Sequence, residues 1–185
     1  AMPAINQAAK AIRDLLRKVP GIQAFMLKTL LVRCDQSGNV VAQLYVKDRD
    51  FKLFSESDLK SLNITGFELI FSNPKSPASV ITEKLQQWGT TNLNDTIQKI
   101  PFTYSVDGFF QINLPVYEKS LTDMKKWIDP KKPTVDLYSG VGTIGLTIGG
   151  KNVTLVEINE RAVIEMKRNI KALEREKAVQ VILAP

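Results

Sequence analysis

Between Val135 and Leu146 the chain reads Val-Asp-Leu-Tyr-Ser-Gly-Val-Gly-Thr-Ile-Gly-Leu, an apolar run that passes through glycines into a second apolar run. Gly140, Gly142 and Gly145 make G-x-G-x-x-G, and missing side chains there let the backbone turn tightly, approach a ligand and pack helix on strand. That pattern predicts a strand, a glycine turn and a helix that together hold a nucleotide cofactor. A second strand, Val153-Thr-Leu-Val-Glu157, ends in a carboxylate near the place where an acid binds ribose hydroxyls in such folds. Strands at 134–138, 153–157 and 179–183, with helices near 142–148 and from Glu160 to Arg175, spell β-α-β-α-β, half of a doubly wound sheet. Parallel strands of this kind need cover on both faces and neighbours on both edges. The expectation is a domain cut short at Pro185.

Upstream, Ile5, Ala8, Ala9, Ile12, Leu15, Leu16 and Val19 recur at helical spacing, and Pro20-Gly21 ends the run. Ile22 to Cys34 and Val40 to Val46 read as a hairpin across the turn chemistry of Asp35–Asn39. A short helix is predicted over Ser55–Leu62, with Ser55 as cap, followed by strands at Phe67–Phe71, Val80-Ile81 and Phe102–Ser105. Residues 1–105 therefore read as an α+β domain. Tyr117, Leu121, Met124 and Ile128 share one helical face, so a lead-in helix spans 114–128, and Asp129-Pro-Lys-Lys-Pro133 connects it to the glycine strand.

With 185 residues and 44% hydrophobic content the chain has enough apolar material for one domain or two small ones. Twenty-five lysines and arginines against 19 acids give a net charge of +6, which favours a polyanionic partner without requiring one. The single cysteine, Cys34, excludes an internal disulfide, and without any histidine no zinc or iron–sulfur cluster is expected. A reducing cytoplasm fits. No apolar run approaches the ~20 residues of a membrane span.

The glycine pattern alone is shared by NAD, flavin and S-adenosylmethionine enzymes. Asp136 stands four residues before Gly140, where an NAD fingerprint carries an apolar residue and a methyltransferase loop carries an acid. Glu157 reads either as the ribose acid or as a solvated strand-end carboxylate. Phe109-Phe-Gln-Ile-Asn113 also has two readings: aromatics and amides that stack on and pair with a flat ring, or a core pair followed by a helix N-cap before Leu114-Pro115.

Ser105-Val-Asp-Gly-Phe-Phe-Gln-Ile-Asn113, a helix carrying Tyr117-Glu118, Asp136–Leu146, Val156-Glu157 and Ala162-Val163 resemble, in order and spacing, the RNA (uracil-5-)-methyltransferases that modify tRNA and rRNA. Ser72–Ser79 and Trp88–Leu93 are similar to that family's central domain. The resemblance implies an α+β central domain (1–105) followed by the first half of a class I, Rossmann-like methyltransferase domain (106–185, with the lead-in helix 114–128). It implies S-adenosylmethionine as cofactor, held by Gln111, Tyr138, Gly140, Gly142, Thr143 and Glu157, with Phe110 and Gln111 beside the target base and structured RNA as partner. In that family a cysteine thiolate adds to uracil C6, the enolate carbon C5 takes the methyl group, and a base removes the C5 proton. Both catalytic groups are expected beyond Pro185, so this chain carries no catalytic residue and no turnover of its own. Cys34, in an apolar strand, reads as core packing.

Two other readings compete. One is a non-catalytic RNA-binding protein using its basic charge, with Lys125, Lys126, Lys131 and Lys132 either on phosphates or simply solvated. The other is an NAD-dependent oxidoreductase, supported by the shared glycines alone.

Overall fold

Helix α1 (Pro3–Lys18) forms because its apolar residues lie on one stripe, Pro3 sits where a missing N–H costs nothing, and Arg17 and Lys18 face the negative end of the helix dipole. Ala8 and Ile12 are its buried contacts. A short 3-10 turn (Ala24–Met26) leads into β1 (Leu27–Cys34), and a tight turn returns the chain as β2 (Val40–Val46). Asp35 closes that turn, its Oδ1 accepting the N–H groups of Ser37 and Asn39 at 3.0 and 2.9 Å. Helix α2 (Glu56–Lys60) starts with a full capping box between Ser55 and Asp58. It crosses over to β3 (Gly66–Phe71), which lies parallel to β2, and β4 (Glu83–Gly89) completes the sheet in the order β1-β2-β3-β4. Val40, Leu44, Phe67 and Leu69 meet Ile12, Phe54 and Leu59 in one core.

The chain here is a computed structural model that describes residues 2–184 and comprises two compact units, Ala1–Leu93 and Asn94–Pro185. The second unit opens with a hairpin, β5 (Asn92–Ile97) and β6 (Ile100–Ser105). Its turn places Gln98 and Lys99 at φ 47° and 69°. Gln98 Nε2 donates to the Glu118 carbonyl at 3.1 Å and to Thr122 Oγ1 at 3.0 Å, so the hairpin tip grips helix α3 (Leu114–Lys125). Then β7 (Thr134–Leu137), α4 (Thr143–Ile148), β8 (Val153–Glu157), α5 (Glu160–Ala172) and β9 (Val179–Leu183) build a parallel sheet in the order β7-β8-β9. In β7 only Asp136 is buried, and Val135 and Leu137 are 60% and 61% exposed.

Three features depart from the sequence reading. Val80-Ile81 lies outside any strand, and the strand instead runs over Glu83–Gly89, where Leu85 and Trp88 alone reach the core. β5 was hidden by Asn and Asp, residues poor in strand propensity. Its alternate residues Leu93, Asp95 and Ile97 point inward, and Tyr104 OH donates to Asp95 Oδ2 at 2.6 Å. Finally, the compact units divide at 93/94 rather than at 105/106, because β6 is bound into the second unit by Asn169 of α5. The Asn169 side chain accepts from Thr103 N at 2.9 Å and donates to the carbonyls of Thr103 (3.1 Å) and Val141 (3.2 Å), at 2% exposure.

Asn169→Ala strands one buried donor and two buried carbonyls at once. A loss of about 2–4 kcal/mol is expected in denaturant unfolding. A loss below 0.5 kcal/mol would show that the clasp is incidental.

Candidate cofactor and base-binding site

The glycine turn sits at the carboxyl end of β7. Its first residue, Tyr138, has φ 58° and is 85% exposed, a left-handed conformation that an aromatic L-residue adopts only at a cost of about 1–2 kcal/mol. Gly140 and Gly142 follow at φ 56° and 89°. Ser139 pins the turn from inside, with its N–H on the Val156 carbonyl at 3.0 Å and its hydroxyl on the Asp136 carbonyl at 2.7 Å. Gly142 N–H then closes onto the Ser139 carbonyl at 2.8 Å.

The three glycines do different work. A Cβ on Gly140 would meet nothing within 4 Å, so that position faces open space and its glycine answers only to φ. At Gly142 a Cβ would press on Leu146 and Leu155 side chains at 3.0–3.2 Å. At Gly145 it would collide with Leu155 and lie 3.0 Å from Val153 Cγ1, so here the glycine lets α4 touch the sheet.

Glu157 is 9% exposed at the tip of β8. Its Oε2 accepts from Gly140 N at 2.8 Å, and its Oε1 accepts from Ile158 N and Asn159 N at 2.9 and 2.8 Å. A carboxylate offers about four lone-pair sites. Three are taken by the backbone, so one on Oε2 stays open to an incoming hydroxyl. The solvated-carboxylate alternative does not describe this residue, which is structured by three amides.

Asp136 is buried on the α4 side of β7, its Oδ2 accepting from Gly145 N at 2.9 Å. Burial pushes its carboxyl above the ordinary value of 3.8, and the Gly145 N–H bond opposes the rise. Thr143, first residue of α4, shares a 2.8 Å hydrogen bond with Tyr117 OH of α3. Burial raises the Tyr117 phenol, the Thr143 bond opposes that, and the Asp136 charge adds to it, so the phenol is neutral at physiological pH.

The stretch 109–113 divides its two readings residue by residue. Phe110 is 4% exposed and stacked on Tyr104, with ring centroids 3.9 Å apart and planes 5° from parallel. One face of its ring is thus closed by protein, and the more open ring is Phe109, 75% exposed. Gln111 and Ile112 are exposed as well. Asn113 caps α3, its Oδ1 accepting from Val116 N at 3.4 Å. Cys34 lies in β1 of the other unit, half-buried, with Sγ donating to the Asp35 carbonyl at 3.2 Å, and packs on that unit's core.

Sequence reasoning gave Tyr117, Glu118 and Asn169 no role of their own. Tyr117 ties α3 to the glycine turn, Glu118 takes the Gln98 contact, and Asn169 joins the turn to β6. Only the buried register of α5 hinted at Asn169. Among the described residues no cluster forms that could hold a metal, and no helix is long and apolar enough to cross a membrane.

A parallel strand, a left-handed glycine turn, a helix in contact with the sheet and a carboxylate on the next strand define half of a doubly wound α/β unit of the cofactor-binding type. The chain is 30% identical over 184 residues to an uncharacterized RNA methyltransferase of Lactobacillus johnsonii, covering 91% of this chain and 41% of that protein. It is 32% identical over 80 residues to an uncharacterized RNA methyltransferase of Protochlamydia amoebophila, covering 43% of this chain and 21% of that protein. Among solved structures, the tRNA (uracil-54, C5)-methyltransferase of Pyrococcus abyssi, in complex with S-adenosyl-L-homocysteine, superposes with a TM-score of 0.79. That match has 17% identity and covers 97% of this chain and 46% of the other. No protein-family model matches the chain. By sequence the chain is similar to proteins named as RNA methyltransferases, and it spans about two fifths of the length of the Lactobacillus relative.

Because the Asp136 value is raised on folding, the folded chain holds more protons than the unfolded chain between pH 3.8 and the raised value. Stability therefore falls as pH rises through that window. Asp136→Asn, which still offers Gly145 an acceptor, removes this dependence. The melting-temperature difference, wild type minus variant, is expected to be largest at low pH and to shrink towards neutrality. A difference constant with pH would contradict the assignment.

Proposed function

We propose that the parent protein methylates C5 of a uridine in tRNA or rRNA, and that this chain supplies the cofactor cradle and the loop that faces the base. The observation that carries the reading is the link between the two motifs: Asn113 caps α3, and Tyr117 on that helix bonds to Thr143 of the glycine turn. The family resemblance of each motif is thus matched by a physical connection between them, and the reading rests on that pair rather than on fold likeness.

S-adenosylmethionine, when bound, supplies an electrophilic methyl group on a sulfonium. The residues present fit it. The open space at Gly140 admits a ligand against bare backbone, and the free lone pair of Glu157 Oε2 suits a ribose hydroxyl. Tyr138 offers an exposed ring, held outward by its left-handed backbone. Thr143 presents a hydroxyl whose orientation Tyr117 fixes. Gln111 carries both a donor and an acceptor, the complement of a uracil edge. Phe110, stacked on Tyr104, anchors the backbone from which Gln111 projects.

Uracil C5 is too weak a nucleophile to take a methyl group without a thiolate on C6. Cys34 is half-buried in a strand of the first unit, with its Sγ on the Asp35 carbonyl. In the proposed reading this chain binds and the nucleophile comes from elsewhere in the parent enzyme.

Tyr138→Gly separates function from folding. Relief of the left-handed strain raises stability by about 1 kcal/mol, while loss of the ring weakens S-adenosylmethionine binding several-fold in calorimetry. The 185-residue chain is expected to bind S-adenosylmethionine in preference to NAD and to form no covalent adduct with RNA containing 5-fluorouridine. Binding of NAD without S-adenosylmethionine would sink the proposal.

A further inference from the structure

Trp127 lies just past the end of α3 with 89% of its surface exposed. An indole is among the largest apolar surfaces a chain can present, and leaving it in water is costly unless something covers it in use. Its neighbours along the chain are basic. Lys125, Lys126, Lys131 and Lys132 are all exposed. Asp123 pairs with Lys126 at 2.7 Å. Asp129 is spent on the turn, its Oδ1 accepting Lys131 N at 2.9 Å and its carbonyl accepting Lys132 N at 3.1 Å. Among the described residues, Lys125, Lys131 and Lys132 make no ion pair.

A bare indole flanked in sequence by exposed lysines that make no ion pair fits one kind of polyanion. A base stacks on the ring while neighbouring phosphates meet the lysines, and only an unpaired strand has a base face to give. A duplex keeps its bases stacked inside. We propose that Trp127, Lys125, Lys131 and Lys132 form a secondary contact for single-stranded RNA, separate from the candidate cofactor site. The choice of RNA rests on the methyltransferase reading; the site itself rests on exposure and charge.

The 12 residues of α3 span about 18 Å, so Trp127 lies past one end of the helix and the loop that carries Gln111 precedes the other.

The test uses the 185-residue chain and a fluorescent 12-nucleotide single-stranded RNA, with the same sequence as a duplex for comparison, titrated over a salt series by anisotropy. Trp127→Ala should weaken single-strand binding on the order of tenfold with the salt slope unchanged, and Trp127→Phe should restore most of it. The triple variant K125A/K131A/K132A should lower the salt slope by about 2. Unchanged melting temperatures confirm that the variants fold. Equal affinity of wild type and Trp127→Ala, a preference for duplex, or no RNA binding at all would each overturn the proposal. So would a dimer seen in sedimentation that Trp127→Ala dissolves, which would assign the ring to a second copy. None of these outcomes bears on the methyl-transfer reading, which S-adenosylmethionine affinity decides separately.

Discussion

Helix α4 lies on its sheet because residue 145 has no side chain. Any Cβ there would drive into Leu155 and Val153, and relieving that overlap would cost about 1–3 kcal/mol. The close approach brings Gly145 N–H within 2.9 Å of Asp136 Oδ2, so the helix is tied to the strand that precedes it. With both ends of the connection fixed, residues 138–142 must reverse the chain in a short span. They do so with three left-handed residues, Tyr138, Gly140 and Gly142. The exposed tyrosine, the open space at Gly140 and the Gly140 N–H on Glu157 all follow from that constraint.

Charge at the site follows the same geometry. Asp136 is buried by the helix it anchors, and its raised value is the consequence of that burial. Glu157, by contrast, is surrounded by amide donors, three of them within 2.9 Å. Two carboxylates on adjacent strands thus have separate tasks: Asp136 holds the turn together, and Glu157 keeps a lone pair for a ligand. Helix α3 carries this arrangement outward, bonded to the hairpin through Gln98 at one point and to the turn through Thr143 at another.

Much of the second unit was legible because glycine spacing and apolar runs depend only on local rules. The β-α-β-α-β order and the bounds of β8 and β9 match their predicted ranges, and the N-caps at Ser55 and Asn113 were readable from residue type. What could not be read depended on partners distant in sequence. Phe109 and Phe110 are equivalent as letters, and only the ring of Tyr104 on β6 decides which is buried. β4 and β5 carry Gln, Asn and Asp at strand positions, and their pairing overrides propensity. Two of the amides on Glu157 come from the next two residues, Ile158 and Asn159, but the third, Gly140 N–H, reaches Oε2 only once the glycine turn has formed, and that distant contact was invisible beforehand.

The central claim is that the loop before α3 and the glycine turn together serve methyl transfer to uridine C5. The most direct measurement is to delete the gene encoding this chain, digest tRNA and rRNA, and quantify methylated nucleosides by mass spectrometry. The account predicts the loss of 5-methyluridine from a defined RNA position, restored by the wild-type gene and not by one carrying Gln111→Ala. Unchanged 5-methyluridine accompanied by loss of a different methylated nucleoside would contradict it.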